Sequence, residues 1–293
     1  LAIVRAVAVI FLIATVLAGF VGDPDPFRNL APVMVWVVWW VGIAFVCALI
    51  GDLWALVNPF RTIFLWAEWI LGRLTNGRQL STARPYPLAL AMWPAVAGLL
   101  IFFWAELIWS GGSVPTNLAT AVVIYAVVTW VGMFVYGRDV WLQNADAFSI
   151  VFGILARFAP LELRVVNGTA LIRACTSSAC RNKTLECVNG YHCLTNTEPD
   201  RREWNLRPPA LGLLNDQQVT FSMMVLVIIL LATVTFDGLL ETRLWTHILD
   251  RTLTGEIRWV GSAALVLFSS AFLFIYLMFS VLMCRLAERH GDN

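Results

Sequence analysis

The chain has 293 residues, of which 59% are hydrophobic and only 13% are charged, and its formal net charge at pH 7 is +1. A soluble domain carries roughly 25% charged residues, so this chain has too few polar side chains to cover a surface exposed to water. The nearly neutral charge provides no basic field for nucleic acid. The composition therefore predicts a protein that lies mostly in a lipid bilayer.

Six apolar stretches are long enough to cross a bilayer as helices, which takes about 17–25 residues. They lie at 2–20, 32–57, 87–109, 117–136, 219–240 and 259–284. Arg5 lies in the first stretch. The chain does not start with methionine, so we expect the natural protein to begin further upstream. Residues 1–20 show no cleavage site typical of a signal peptide. Pro94 predicts a kink in the third stretch.

Arginine residues are concentrated on one side of the predicted bundle. The segment 58–86 contains Arg61, Arg73, Arg78 and Arg84, and the chain ends with Arg285 and Arg289. Loops on the opposite side carry no excess of basic residues. Because short loops rich in arginine stay inside the cell, this bias predicts that 58–86, 137–218 and the C-terminus are cytoplasmic, in a bacterial inner membrane.

Two apolar segments on this side are predicted to form helices that do not span the membrane. They lie at 60–74 and 147–158, and each is expected to rest against the bundle as an interfacial or re-entrant half-helix. The predicted fold is all-α: a polytopic integral membrane helix bundle of about six transmembrane helices plus two half-helices. It forms a single membrane domain, 1–293, with a cytoplasmic loop at 161–218 between spans four and five.

A short internal repeat precedes the two half-helices. Gly51-Asp52-Leu53-Trp54 leads to the first, and Gly137-Arg138-Asp139-Val140-Trp141 leads to the second. Parallel repeats would place four polar residues in one layer, as a substrate or ion pathway: Asp52, Asn58, Asp139 and Asn144. Carboxylates near hydrocarbon need partners, and Arg61 and Arg138 are the candidates. Structural ion pairs are the alternative interpretation of this layer.

A second group of polar residues is predicted near the opposite ends of the spans. Glu106 lies about one turn before the end of span three, Asp237 lies near the end of span five, and His247 follows in the next loop. Two carboxylates and an imidazole are suitable ligands for a divalent metal, which would activate water for hydrolysis. Solvation of these side chains among the lipid headgroups is the alternative.

Four cysteines fall within nineteen residues of the loop between spans four and five: Cys175, Cys180, Cys187 and Cys193. In a reducing cytoplasm they would hold zinc or an iron–sulfur centre. In an oxidising compartment they would form disulfides, and free thiols are a third alternative. Their spacing lacks the closely spaced Cys-x-x-Cys pair of typical zinc sites.

The chain lacks several familiar catalytic motifs. It contains no nucleotide-binding glycine loop, which argues against an ATP-driven pump, and no G-x-S-x-G or H-E-x-x-H motif. With three histidines in total, it also has too few for a binuclear centre built on imidazoles.

Several runs resemble a bacterial family of multi-span membrane proteins that often carry the name fenitrothion hydrolase. They include GDLWALVNPFRT (51–62), GRDVWLQNADAFSIVFGILARFAP (137–160) and ATVTFDGLLETRLW (232–245). Phe60 stands where a tryptophan is expected in relatives, and Ala145-Asp146 stands where a Gly-Glu pair is expected. The resemblance implies a multi-span protein that cleaves organophosphate esters, and it supplies no set of catalytic residues.

Three classes of function stay open at this point. The chain is a membrane hydrolase with a lipophilic small-molecule substrate, a transporter or channel, or a metal-binding accessory protein that works through its cysteine segment. In each case the lipid bilayer is its immediate partner.

Overall fold

The computed structural model describes residues 2–75, 80–165, 187–188, 202–214, 219–250 and 257–291. Within these ranges, six helices are long and apolar enough to cross a membrane: Ala2–Val21, Leu30–Leu49, Leu88–Leu107, Pro115–Tyr136, Phe221–Leu240 and Arg258–Leu286. The prediction of an all-α membrane helix bundle is confirmed.

The chain divides into two compact units. Unit one comprises the described parts of Leu1–Pro94 and Gly111–Gln218, and unit two comprises those of Ala95–Ser110 and Val219–Asn293. The helices of unit one are α1 (Ala2–Val21), α2 (Leu30–Leu49), α3 (Leu53–Val57), α4 (Pro59–Leu74), α6 (Pro115–Tyr136), α7 (Arg138–Asn144) and α8 (Ala147–Leu155). The helices of unit two are α5 (Trp93–Leu107), α9 (Phe221–Leu240), α10 (Arg243–Asp250) and α11 (Ile257–Gly291).

The second span is shorter than its hydropathy predicts. Instead of continuing over 32–57, α2 ends at Leu49, and α3 begins after Asp52, whose side chain accepts a hydrogen bond from the N–H of Ala55 at 3.0 Å. The apolar run hides this break because Ile50 and Gly51 are themselves apolar. Inside α2, Val33–Gly42 form a π-helix, a rare geometry that often occurs at functional sites.

Both half-helices predicted from the sequence are present as α4 and α8. Each begins at a polar residue whose side chain caps the helix: Asn58 accepts from the N–H of Arg61 at 3.1 Å, and Asp146 accepts from that of Ser149 at 3.0 Å. Such caps satisfy backbone donors that have no partner in the first turn. The half-helices therefore start where the sequence supplies an Asx cap.

The two half-helices are exchanged between the two halves of the predicted repeat. The first, α4, follows span two but packs against α1 and α6; the second, α8, follows span four but packs against α2 and α3. Each half-helix thus rests on the span of the other repeat. The segments that connect spans two and four to their half-helices are enclosed within unit one.

Span three begins differently from the prediction of a proline kink. A short 3₁₀ turn, Leu88–Leu90, precedes α5, and Ala91 has a positive φ of 38°. Since α5 starts at Trp93, Pro94 lies in its first turn, where a helix does not use the backbone N–H that proline lacks. The prediction that Pro94 kinks the span is therefore wrong.

The segment predicted as a loop after span four contains a small antiparallel sheet of order β2-β1-β3. Its strands are β1 (Leu161–Val165), β2 (Cys187–Val188) and β3 (Arg202–Leu206), with Leu161 opposite Leu206 and Val165 opposite Cys187. Cys175, Cys180 and Cys193 lie outside the described residues. For Cys187 the structure describes only its place in β2. The predicted zinc or iron–sulfur site therefore stays a prediction.

Unit two has an aromatic core. Phe236, Trp245 and Leu265 are buried together, and Trp104 and Leu107 of α5, with Ile108 just after it, pack against them. The indole N–H of Trp104 donates to the hydroxyl of Ser262 at 2.9 Å. These contacts join α5, α9, α10 and α11.

Candidate functional site

A group of charged side chains lies where α1, α4 and α7 meet in unit one. We call it the charged layer, and its members are Arg5, Arg61, Glu68, Arg138 and Asp139. The ends of the helices position these charges. The Asn58 cap starts α4 just before Arg61. Gly137, with φ at 92°, ends α6 just before Arg138.

Arg138 links α7 to the first half-helix. One of its Nη atoms lies 2.5 Å from a carboxylate oxygen of Glu68, and the other lies 3.2 Å from Asp139. Asp139 also lies 3.5 Å from a guanidinium nitrogen of Arg61. The prediction that Arg61 and Arg138 are the partners of Asp139 agrees with these distances.

Arg61 is the most enclosed member of the layer, with 5% of the residue exposed. Burial lowers the pKa of its guanidinium from the ordinary value, Asp139 opposes that change, and the positive charges of Arg138 and Arg5 add to it. Burial likewise raises the pKa of Glu68, against the opposing effect of Arg138. The layer is thus enclosed at Arg61 and partly open at Asp139, whose side chain is 37% exposed.

Arg5 reaches the layer from the first span. Its Nε donates to the carbonyl of Leu56 at 3.0 Å, which ties α1 to α3. Among the described residues, the buried Nη2 of Arg5 and the buried Nε of Arg61 have no hydrogen-bond partner. Two guanidinium groups thus keep a donor without an acceptor from the part of the chain that the structure describes.

A buried carboxylate lies at the start of the second half-helix. Asp146 is 2% exposed, and its two oxygens accept hydrogen bonds from the phenol of Tyr125 and from the backbone of Ser149. Burial raises the pKa of Asp146 above its ordinary value, and the hydrogen bonds from Ser149 and Tyr125 oppose that rise. The ring of Tyr125 packs edge-on against Phe60 and Phe148, with centroids 5.0 and 5.3 Å apart.

The other three predicted pathway residues form hydrogen bonds with the backbone. Asp52 and Asn58 cap α3 and α4, and the side-chain amide of Asn144 donates to the carbonyl of Val140 at 2.8 Å. The second half-helix is capped by Asp146, two residues after Asn144. Asp139 forms ion pairs with Arg61 and Arg138.

The predicted catalytic residues all belong to unit two. Glu106 is half-buried in α5, whereas Asp237 of α9 and His247 of α10 are exposed. In the part of the chain that the structure describes, no three or more His, Cys, Asp or Glu side chains are grouped so that they could hold a metal ion. The structure thus gives no support to a metal centre at these three residues.

Sequence reasoning missed Tyr125 and the place of Arg5 in the layer. A tyrosine inside an apolar span carries no local signal of its partner, which lies 21 residues further on. Asp146 was detectable, because Asp-x-x-Ser before an apolar run is typical of a helix start.

No family model, no curated protein and no solved structure matches the chain. The resemblance to the fenitrothion hydrolase family therefore stays a prediction.

Proposed function

We propose that the chain is a transporter- or channel-like protein of a bacterial inner membrane, in which the charged layer of unit one contacts a small solute. The observation that supports this function best is the exchange of the two half-helices around buried charged side chains. Transporter folds place their sites at discontinuous helices of this kind, near the interface between repeats.

The breaks in the helices support the same proposal. Non-helical backbone at membrane depth is tolerated where protein encloses it or where it lines a cavity. In unit one the breaks are enclosed: Gly51, Asn58, Ala145 and Asp146 are all buried. Buried charges in spans and half-helices are expensive, so their presence favours a role beyond filling space.

The proposed sidedness follows from the arginine bias of the sequence. Arg138 follows the end of span four, and Arg61 follows span two, both on the side predicted to be cytoplasmic. The charged layer would then meet the solute at the cytoplasmic end of its path.

A flux measurement with a matched pair of variants tests the proposal. Purified protein in proteoliposomes would be assayed for uptake of inorganic phosphate, sulfate, acetate, glycine and choline. We expect Asp139→Asn to reduce the rate for the transported solute by roughly tenfold, because the ion pairs that position Arg61 and Arg138 are lost. Asp25→Asn, in an exposed loop, is the control and should transport normally.

Two outcomes would contradict transport. The first is uptake of every solute at the rate of empty liposomes. The second is an Asp139→Asn protein that elutes as wild type from a sizing column and transports equally fast. Asp139→Glu keeps the charge and provides a second variant if Asn impairs folding.

Hydrolysis in unit two is the second candidate. Trp104 and Leu107 of α5 pack on the cluster that contains Phe236 of α9, and these residues flank Glu106 and Asp237 in the sequence. We infer that a lipophilic ester would meet these carboxylates near the ends of two adjoining helices. Release of nitrophenol from fenitrothion, lost in Glu106→Gln and retained in Glu241→Gln, would support this function; no release by the wild type would refute it.

A further inference from the structure

Three guanidinium groups from three different helices act on one another in the charged layer: Arg5 of α1, Arg61 of α4 and Arg138 of α7. Two carboxylates belong to the same layer: Glu68 pairs with Arg138, and Asp139 pairs with Arg138 and Arg61. With ordinary protonation, the layer therefore carries one positive charge in excess.

The acceptors that the layer supplies are used mainly by one arginine. Arg138 contacts both Glu68 and Asp139, whereas Arg61 meets Asp139 only at 3.5 Å. The Nε of Arg5 donates to the carbonyl of Leu56. The buried Nη2 of Arg5 and Nε of Arg61 are left without an acceptor from the described residues.

Both features point to the same missing group. A buried donor on a charged side chain is costly to leave unpaired, since nearly all buried polar atoms in proteins have a partner. A water molecule would satisfy the hydrogen bonds and leave the excess charge. An anion with several oxygens would accept the hydrogen bonds and also neutralise the excess charge.

We propose that the charged layer binds a phosphate-type oxyanion, which accepts from Arg5 Nη2 and Arg61 Nε and lies close to Arg138. A tetrahedral anion presents oxygens in several directions, so it can meet donors that arrive from separate helices, whereas a planar carboxylate matches a single guanidinium fork. The group is carried either by a free phosphate or by a phospholipid head. This inference deepens the proposed transport function and rests on it for the entry of the ion.

Equilibrium binding tests the site without any transport. Thermal unfolding of the full chain in detergent would be followed by its tryptophan fluorescence while inorganic phosphate is titrated against sodium chloride at equal ionic strength. A second arm compares the protein in vesicles of phosphatidylcholine alone with vesicles that contain phosphatidylglycerol. Stabilisation by free phosphate assigns a soluble ligand, and stabilisation by phosphatidylglycerol alone assigns a lipid head; either result supports the site.

Two variants and one control make the test specific. Arg61→Lys keeps the charge but loses the Nε–H donor, and Arg5→Gln loses both charge and donor. We expect each to weaken binding about tenfold or more, the range for one charge-assisted contact. Arg73→Gln is the matched control, because Arg73 lies on the same helix, is exposed, and stacks over Trp69 at 4.4 Å.

The site is refuted if phosphate, phosphatidylglycerol and chloride stabilise the protein equally. It is also refuted if Arg61→Lys and Arg5→Gln, both folded, bind as tightly as the wild type, or if Arg73→Gln loses binding to the same extent. A protein that binds phosphate but moves no solute would keep this site and refute transport, so the two proposals fail separately.

Discussion

The phenol of Tyr125 donates a hydrogen bond to the carboxylate of Asp146, and this contact fastens span four to the start of the second half-helix. Among the described residues, no basic side chain forms an ion pair with Asp146. The carboxylate instead accepts from the phenol of Tyr125 and from both the side chain and the backbone N–H of Ser149. The pair is therefore a neutral anchor or a weakly compensated charge, depending on pH.

Removal of this anchor should destabilise unit one. We expect Asp146→Ala to lower the free energy of unfolding by about 1–3 kcal/mol, since it removes a helix cap and leaves the Tyr125 hydroxyl without its partner. Equilibrium unfolding in mixed detergent micelles measures the loss. Asp25→Ala, at an exposed turn, is the control, and an equal change in both variants would contradict the assignment.

The same carboxylate should make stability depend on pH. Burial raises the pKa of Asp146 in the folded protein, so the folded state holds a proton that the unfolded chain releases. Stability is then greatest below the ordinary aspartate pKa and falls as pH rises towards the raised value. Unfolding temperatures measured from about pH 4 upwards should show this slope, and Asp146→Asn should flatten it. An unchanged slope in Asp146→Asn would place its origin elsewhere, for example at Glu68, whose pKa shifts in the same direction.

The Arg138–Glu68 contact should show energetic coupling. Both side chains are partly buried, and their charged atoms lie 2.5 Å apart. A double-mutant cycle with Arg138→Gln and Glu68→Gln should give a coupling energy of about 0.5–3 kcal/mol, as for residues in one ion-pair network. The cycle of Arg73→Gln with Glu68→Gln should give a value near zero. Equal coupling in the two cycles would indicate a general charge effect.

Much of the fold was predictable, because hydropathy over about 20 residues reports where a helix meets lipid. The ion partners of Asp139 were also predictable, since Arg138 is its neighbour in sequence and Arg61 begins the adjoining half-helix. The exchange of half-helices was beyond the sequence, because it depends on which spans pack together. For the same reason, nothing local connects Arg5 to Leu56, 51 residues away.

A close approach between span four and α7 provides another test. A Cβ added at Gly132 would overlap the indole ring of Trp141, whereas one added at Gly72 would meet nothing within 4 Å. We expect Gly132→Ala to destabilise by about 1–3 kcal/mol through overpacking. Gly72→Ala, in α4, should stabilise by roughly 0.5–1 kcal/mol because alanine favours a helix. Thermal unfolding of both proteins in detergent compares them, and equal stability would argue against the close contact.

Hydrogen bonds of Arg207 connect the sheet to the end of the second half-helix. Its guanidinium donates to the carbonyls of Ala156, Arg157 and Ala159, just past the end of α8, where the helix dipole is negative. Arg207 follows β3 directly, and the stretch of chain between β1 and β3 carries the clustered cysteines. A displacement of β3 would therefore withdraw this positive charge from the end of α8 and leave three carbonyls without their shared donor.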